Sequence, residues 1–452
     1  MKVGKKMNQT QNEKTTLKLN YKRTFYMGFA FFAILMLWQM YNYYCPKFLE
    51  HFLGTDKAYL IGVIMAADNL FAVFMLPLFG ALSDKTKSKW GRRMPYMVIG
   101  MFLSAIVFPV ITVMYYLDSL IGVIIMMGLI LLIMNSYRNP AVALMPDVTP
   151  KPLRSQANGI INLVGYVGAV LGGGIALVIG FITKDLKLQG LIAFIVASFF
   201  MILAMVILIL KIKEPKIIEE MKDEMLEGEK QSENFANNST ETKKLSKQDK
   251  INTFILLFSV LFWFMSFNAV ESFYSIFCDK AFPEQGFVGT VVMAGLPLSS
   301  IITFLCAINL PVKIGRKNTV LIGLGCIILG FLIVVLQGFL GYNAIIFIFS
   351  IIICGIGWAL INANSYPMLV EVANSDNMGK YTGLYYTFSM IAQSITPVIV
   401  GILITVQGKY SILFIYALIT MTIALAIFAL FKENKKKVKQ NLSAIEALGQ
   451  DQ

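Results

Sequence analysis

Apolar stretches of 20 residues or more, separated by short polar connectors, follow one another through most of the chain. An α-helix needs about that length to cross roughly 30 Å of hydrocarbon. The pattern predicts twelve such helices, near 25–46, 58–83, 94–116, 119–140, 155–182, 188–211, 251–276, 286–310, 318–340, 343–366, 381–406 and 410–431. One long polar interruption falls halfway. It divides the chain into a basic tail (1–24), a six-helix unit (25–212), a central loop (213–250), a second six-helix unit (251–431) and a second tail (432–452). The expected fold class is an all-α membrane protein of twelve transmembrane helices in two pseudo-symmetric bundles. In the central loop the first part, with Glu219, Glu220, Asp223 and Glu224, reads as a surface helix, and Glu229 to Thr242 as a disordered linker. The first span is long and aromatic with no small-residue cleavage site after it, so it reads as a retained helix, not a signal peptide.

The connectors fix the expected orientation. Gly80 to Gly100 reads GALSDKTKSKWGRRMPYMVIG and places Lys85, Lys87, Lys89, Arg92 and Arg93 between two spans. Lys and Arg in short loops are held on the cytoplasmic side. Connectors with Lys151–Arg154, Lys313–Lys317 and Lys380 share that side with both tails, whereas the opposite loops are short and nearly balanced. A multi-pass protein of the cell membrane with both termini in the cytoplasm is expected.

The halves also repeat. Gly91-Arg92-Arg93 recurs 224 positions later as Gly315-Arg316-Lys317, and Asp147 and Gly159 recur at the same offset as Glu371 and Gly383. Duplicated bundles around a central cavity are the layout of many secondary transporters.

Composition narrows the function. Hydrophobic residues make up 57% of the 452 and charged residues 14%, against about 25% charged in soluble domains. The net charge of +13 sits in alternate loops and tails as topology demands, with no aromatic-laced basic patch, which argues against nucleic-acid binding. The five cysteines have no metal or redox spacing, His51 is the sole histidine, and no Gly-Lys-Ser or Gly-Lys-Thr occurs. Neither a metal centre, a cofactor nor direct use of ATP is expected, and a polytopic membrane enzyme is the rival of a different class.

The loop from Gly80 to Gly100 resembles the signature between spans two and three of the major facilitator superfamily. Its longer Asp84-to-Gly91 spacing, with RNPAVALMPDVTPKPLRSQANGIINLVG from Arg138 to Gly165, is similar to the glycoside-pentoside-hexuronide:cation symporters and the related sucrose-type transporters. The resemblance implies uptake of a sugar or glycoside driven by a cation gradient, usually protons in the sucrose-like branch. Melibiose-type members carry two acids one turn apart before a proline in span two. Ala72 and Leu76 stand before Pro77 here, and span four lacks the acid those members use for sugar. Sodium coupling by that route is therefore not expected.

Charged residues deep in a bilayer cost several kcal/mol and mark ion or substrate pathways. Asp68, about 14 Å into span two, is the first candidate for cation coupling or sugar binding, the alternative being a structural hydrogen bond to another helix. Glu271, in a polar stripe with Ser266, Asn268, Ser272 and Ser275, is the second, the alternative being an acid touching external water. Hydroxyls and apolar sugar faces call for amides and aromatic rings. Candidates are Trp38, Asn42, Asn69 and Asn268, then Trp358, Asn362, Asn364, Tyr385 and Gln393, with interhelical hydrogen bonding as the alternative for each. Asp84 with Arg92 or Arg93, and Glu371 with Arg316 or Lys317, are candidate gating pairs; the alternative is that the positive charges only hold topology. The expected protein is a monomeric, proton-coupled sugar or glycoside importer. A lipid, nucleoside or drug carrier of the same fold, or a sodium-coupled one, is the nearer rival.

Overall fold

The computed structural model describes residues 17–238, 247–307, 310–372 and 378–432, without the side chains of Asp68, Ser155, 233–238, 370–372 and 378–379. It is built of helices. The first half holds α1 (Tyr21–Leu53), α2 (Ala58–Lys85), α3 (Met94–Tyr116), α4 (Leu120–Asp147), α5 (Arg154–Ile182) and α6 (Leu186–Lys211). Two shorter helices, α7 (Glu214–Glu220) and α8 (Lys222–Asn238), follow. The second half holds α9 (Lys247–Ala281), α10 (Phe287–Cys306), the short α11 (Leu310–Ile314), α12 (Arg316–Leu340), α13 (Ala344–Val372), α14 (Met378–Gln407) and α15 (Ile412–Ala429). Among the described residues, twelve of these are long and apolar enough to cross a membrane.

Local chemistry sets many of the ends. Asn20 Oδ1 accepts from Arg23 N and opens α1, and Ser119 Oγ accepts from Gly122 N at the start of α4. Gly91 and Gly315, the repeated pair 224 positions apart, both sit at positive φ (106° and 86°) ahead of α3 and α12. Only glycine takes that conformation without a Cβ penalty, so the repeat preserves a backbone turn as well as a charge pattern.

Three expectations are corrected. α1 does not stop near residue 46 but continues through Pro46 to Leu53, carrying Lys47 and Glu50 into the packed structure. The stretch expected to be disordered from Glu229 is helical as far as Asn238, and 239–246 lies outside the described residues. Nor does the central segment start as a free linker. Glu214 is fully buried and its carboxylate accepts from the backbone N–H groups of Arg92 (2.8 Å), Arg93 (2.9 Å) and Met94 (3.0 Å). Those donors have no intrahelical partner at the start of α3, and a carboxylate there is favoured by the helix dipole. α8 then packs against the turn at Lys151–Leu153, tying the segment to the first bundle.

The two bundles meet along α2 with α14, α5 with α10, and α1 with α9. Their tightest contacts lie toward the ends away from the chain termini, here the distal side. A Cβ on Gly62 would collide with the Pro397 carbonyl, one on Gly401 with the backbone of Ala58, and one on Gly173 with Ala294. Small residues let backbones touch in this way. Two crossed ion pairs join α1 to α9 at the same level: Lys47 Nζ to Asp279 Oδ1 and Lys280 Nζ to Glu50 Oε1, each 2.8 Å. α4 and α13 instead make their principal contacts within their own bundles. The distal side is the closed one.

Candidate functional site

Below that seal, among the described residues, the helices bound two neighbouring chambers between the bundles that share three wall residues. The smaller, about 40 Å³, is bounded by Trp38, Tyr41 and Asn42 of α1, Met65 and Asn69 of α2, Asn268, Glu271 and Ser272 of α9, and Gln393 and Pro397 of α14. The larger, about 200 Å³, shares Trp38, Asn42 and Glu271 and extends into the second bundle. Gln39 joins its wall from α1 and Tyr166 from α5, with Phe267, Tyr274, Leu296, Phe331, Phe347 and Trp358 beyond.

Glu271 is the hinge of this arrangement. It lies ten residues, or about 15 Å at 1.5 Å per residue, from the distal end of α9. Its Oε1 accepts from Asn42 Nδ2 at 3.1 Å, so a carboxylate of the second bundle holds an amide of the first. Gln39 makes a second tie across the same boundary, donating from Nε2 to the Met293 carbonyl at 2.7 Å. Hydrogen bonds to an ionised acceptor are the stronger kind, so the charge on Glu271 is felt directly by the contact between halves.

Seven of the candidates taken from the sequence line these chambers: Trp38, Asn42, Asn69, Asn268, Glu271, Trp358 and Gln393. Trp358 stacks on Phe267 with centroids 3.8 Å apart and planes 9° from parallel. Three others are not in the chamber walls. Asn362 and Asn364 donate to carbonyls one turn back in α13, those of Trp358 and Leu360, and Asn364 is buried among neighbouring helices. Tyr385 is also buried, and its hydroxyl pairs with Ser365 at 2.9 Å. In this conformation all three are hydrogen-bonded to protein groups. Asp68 lies on α2 one residue from Asn69; its side chain is outside the described residues.

The charged loop forms a network inside the first bundle. Arg93 Nη2 donates to Asp84 Oδ1, Arg93 Nε donates to Asp147 Oδ2 at 2.8 Å, and Arg92 approaches Asp147 at 3.4 Å. Burial opposes the Arg93 charge, but the bonds and attraction from Asp147 and Asp84 outweigh it and hold the guanidinium above its ordinary pKa. These pairs join α2, α3 and α4 of one bundle, not one bundle to the other. In the second half Lys317 Nζ donates to the Ala429 carbonyl at 3.0 Å, and the Glu371 side chain lies outside the described residues, so the proposed partnership of Glu371 with Arg316 or Lys317 is not described.

The site also contains residues that sequence reasoning missed. Lys47 is only 5% exposed, yet it bonds Asp279 and the Tyr43 hydroxyl (2.9 Å) and lies 4.0 Å from the Tyr43 ring centre. A lysine one residue past a proline looked like the end of a span. Glu214 is the second residue of the expected linker. For Lys47 the one available signal was a charge set between Pro46 and Phe48.

The chain matches the Major Facilitator Superfamily over residues 27–397 and 346–449. Among curated proteins it is 39% identical over 59 residues to an uncharacterized symporter of Synechocystis, a match spanning 13% of this chain and about a tenth (11%) of that protein. The fold is similar to a peptide transporter solved with sulfate (TM-score 0.65, 16% identity, 90% of this chain and 94% of that one). It is also similar to a bacterial homologue of the iron transporter ferroportin in an inward-facing state (0.66, 12%, 92% and 100%) and to a nucleoside transporter (0.63, 16%, 92% and 100%). At such identities the likeness establishes architecture alone. The family match, covering most of the twelve helices, is of another order: this chain belongs to the major facilitator superfamily, and it is a transporter, not an enzyme.

Proposed function

We propose that the protein is a proton-coupled importer of a sugar or glycoside, working by alternating access, of the glycoside-pentoside-hexuronide or sucrose-type branch. The observation that carries this reading is the small chamber. Asn69, Asn268, Ser272 and Gln393 surround a space between the bundles that is bounded by the Glu271 carboxylate. Amides and hydroxyls suit a polyhydroxylated solute, and an acid this deep in a bilayer is costly unless it has a task. Glu271, with Asp68 on the facing helix, carries the proton; its loading alters the Asn42 bond and hence the balance between closed and open distal sides. The positive loops support cytoplasmic termini in the cell membrane, with the distal seal facing outward, and the chain acts as a monomer.

Proteoliposomes with an imposed pH gradient test the coupling with a panel of radiolabelled sugars. Accumulation should follow the proton gradient and be lost in Glu271→Gln and in Asp68→Asn. Uptake indifferent to the proton gradient but dependent on sodium would replace the proton by sodium. Accumulation that persists in both variants would remove the acids from the mechanism.

A further inference from the structure

Within the expected span 119–140 the sole charge is Arg138, and no role described above uses it. It lies on α4 nine residues, or about 14 Å at 1.5 Å per residue, from the end at Asp147. Its guanidinium stands 5.7 Å from the centre of the Trp38 ring, and Trp38 walls both chambers between the bundles. It is also close enough to the Tyr386 phenol on α14 for its charge to be felt there. Tyr386 lies eight residues, or about 12 Å, into α14 from Met378, so the two side chains come from opposite bundles at matching depth. These neighbours turn Arg138 toward the gap between the bundles on the side of the chain termini, where α4 makes its principal contacts within its own bundle. Tyr386 is exposed there and Arg138 partly so.

Among the described residues the ion pairs engage Lys47, Arg92, Arg93, Lys187, Lys216 and Lys280, and none engages Arg138. A charge at such depth is costly and marks a substrate or ion pathway. A guanidinium carries five N–H donors in a planar fork that fits a carboxylate or a phosphate, and contact with a ring face uses none of them. On these grounds we infer that Arg138 anchors an acidic group of the substrate, and that the substrate is an anionic sugar or glycoside bearing a carboxylate or a phosphate, not a neutral one. The acid sits in the gap between Arg138 and Tyr386. Arg138 is in the wall of neither chamber, so this site needs no room inside them. The inference deepens the function proposed above and rests on it for the rest of the molecule. Span four lacks the acid with which melibiose-type members hold sugar, and the charge it does carry calls for a ligand of opposite sign.

The test is binding to the purified full-length protein, by calorimetry and thermal shift, of matched acidic and neutral sugars: glucuronate and glucose 6-phosphate against glucose, galacturonate against galactose, and the methyl glycosides of each. In at least one set an acidic member should bind tenfold or more tighter than its neutral partner, and whether the uronate or the phosphate does so identifies the group. Arg138→Gln should erase that advantage and leave neutral-sugar binding within about twofold. Arg138→Lys, which keeps the charge but not the fork, should retain part of it, and keeps the test decisive if the first variant fails to fold. Equal binding of acidic and neutral partners would overturn the anion site while leaving the sugar reading intact. Binding of benzoate or phenyl phosphate as tight as that of any acidic sugar would overturn the sugar reading and keep the anion site; binding of none would overturn both. Loss of acidic and neutral sugars alike in Arg138→Gln, with recovery when Asp68→Asn is added, would make Arg138 a counter-charge to Asp68 and overturn its role as an anchor.

Discussion

Neutralising Asp279 is the sharpest way to test whether the distal seal depends on charge. Asp279→Asn leaves Lys47, 5% exposed, with the Tyr43 hydroxyl and ring but no counter-charge. Breaking a fully buried pair costs about 3–5 kcal/mol, because the remaining charge is stranded. Asp279 is 42% exposed, however, so water already screens the pair, and exposed pairs contribute only about 0.2–1 kcal/mol. A value of about 2 kcal/mol lies between those limits and corresponds to roughly a 30-fold shift from closed toward open distal sides. The remaining pair, Lys280 with Glu50, is itself partly exposed and cannot compensate for that loss. Two native cysteines report the change, since Cys45 and Cys278 are buried in α1 and α9, close in sequence to Lys47 and Asp279. In a background with Cys306, Cys326 and Cys354 replaced by serine, a charged, membrane-impermeant thiol reagent added on the distal side should label them about 30-fold faster in Asp279→Asn. Labelling unchanged in this variant, and unchanged again when Glu50→Gln is added, would refute the electrostatic account of the seal.

Other perturbations separate the remaining forces. Gly62→Val places a branched side chain against the Pro397 carbonyl; overpacking of about 1–3 kcal/mol should hold α2 off α14, raise the same labelling and abolish uptake. Glu214→Ala strands three backbone donors at the start of α3 and should lower the apparent thermal midpoint far more than Glu219→Ala, by the equivalent of roughly 2–4 kcal/mol, with Glu214→Gln between them. Arg93 is held above its ordinary pKa, so the stability that its charge confers is complete below that ordinary value and would fade only as pH rose past the folded-state pKa. The difference in midpoint between the native protein and Arg93→Gln should therefore stay flat from pH 6 to pH 9; a slope within that window would mean that another group governs the network.

Much of the architecture was legible because a bilayer imposes length. Twelve spans, the division after α6 and the repeated glycine turns at Gly91 and Gly315 followed from apolar run lengths and one recurring motif. Glu271 and Asn42 stood out because polar groups inside such runs are few. Asp84 and Arg93 stood out as a pair in the sequence, whereas Asp147 entered only as a repeat position, and nothing in a linear motif says that their network closes within a single bundle. The apolar character of the large chamber was equally hidden, since Phe267, Phe331 and Phe347 are indistinguishable in sequence from lipid-facing phenylalanines.

The chain by itself determined how many helices cross the membrane, where they turn and which few polar side chains travel with them. Hydrocarbon thickness and the charge asymmetry of the loops leave little freedom on those points. Only the tertiary structure decided which way each side chain faces. Asn268 and Asn364 show the difference: each donates to the carbonyl four residues back in its own helix, yet one lines a chamber and the other is buried away from it. A helix that is apolar nearly all round carries little signal for rotation about its axis, so packing against its neighbours sets that angle. The same rotation brought Lys47 to Asp279 and Asn42 to Glu271 across more than two hundred positions of sequence.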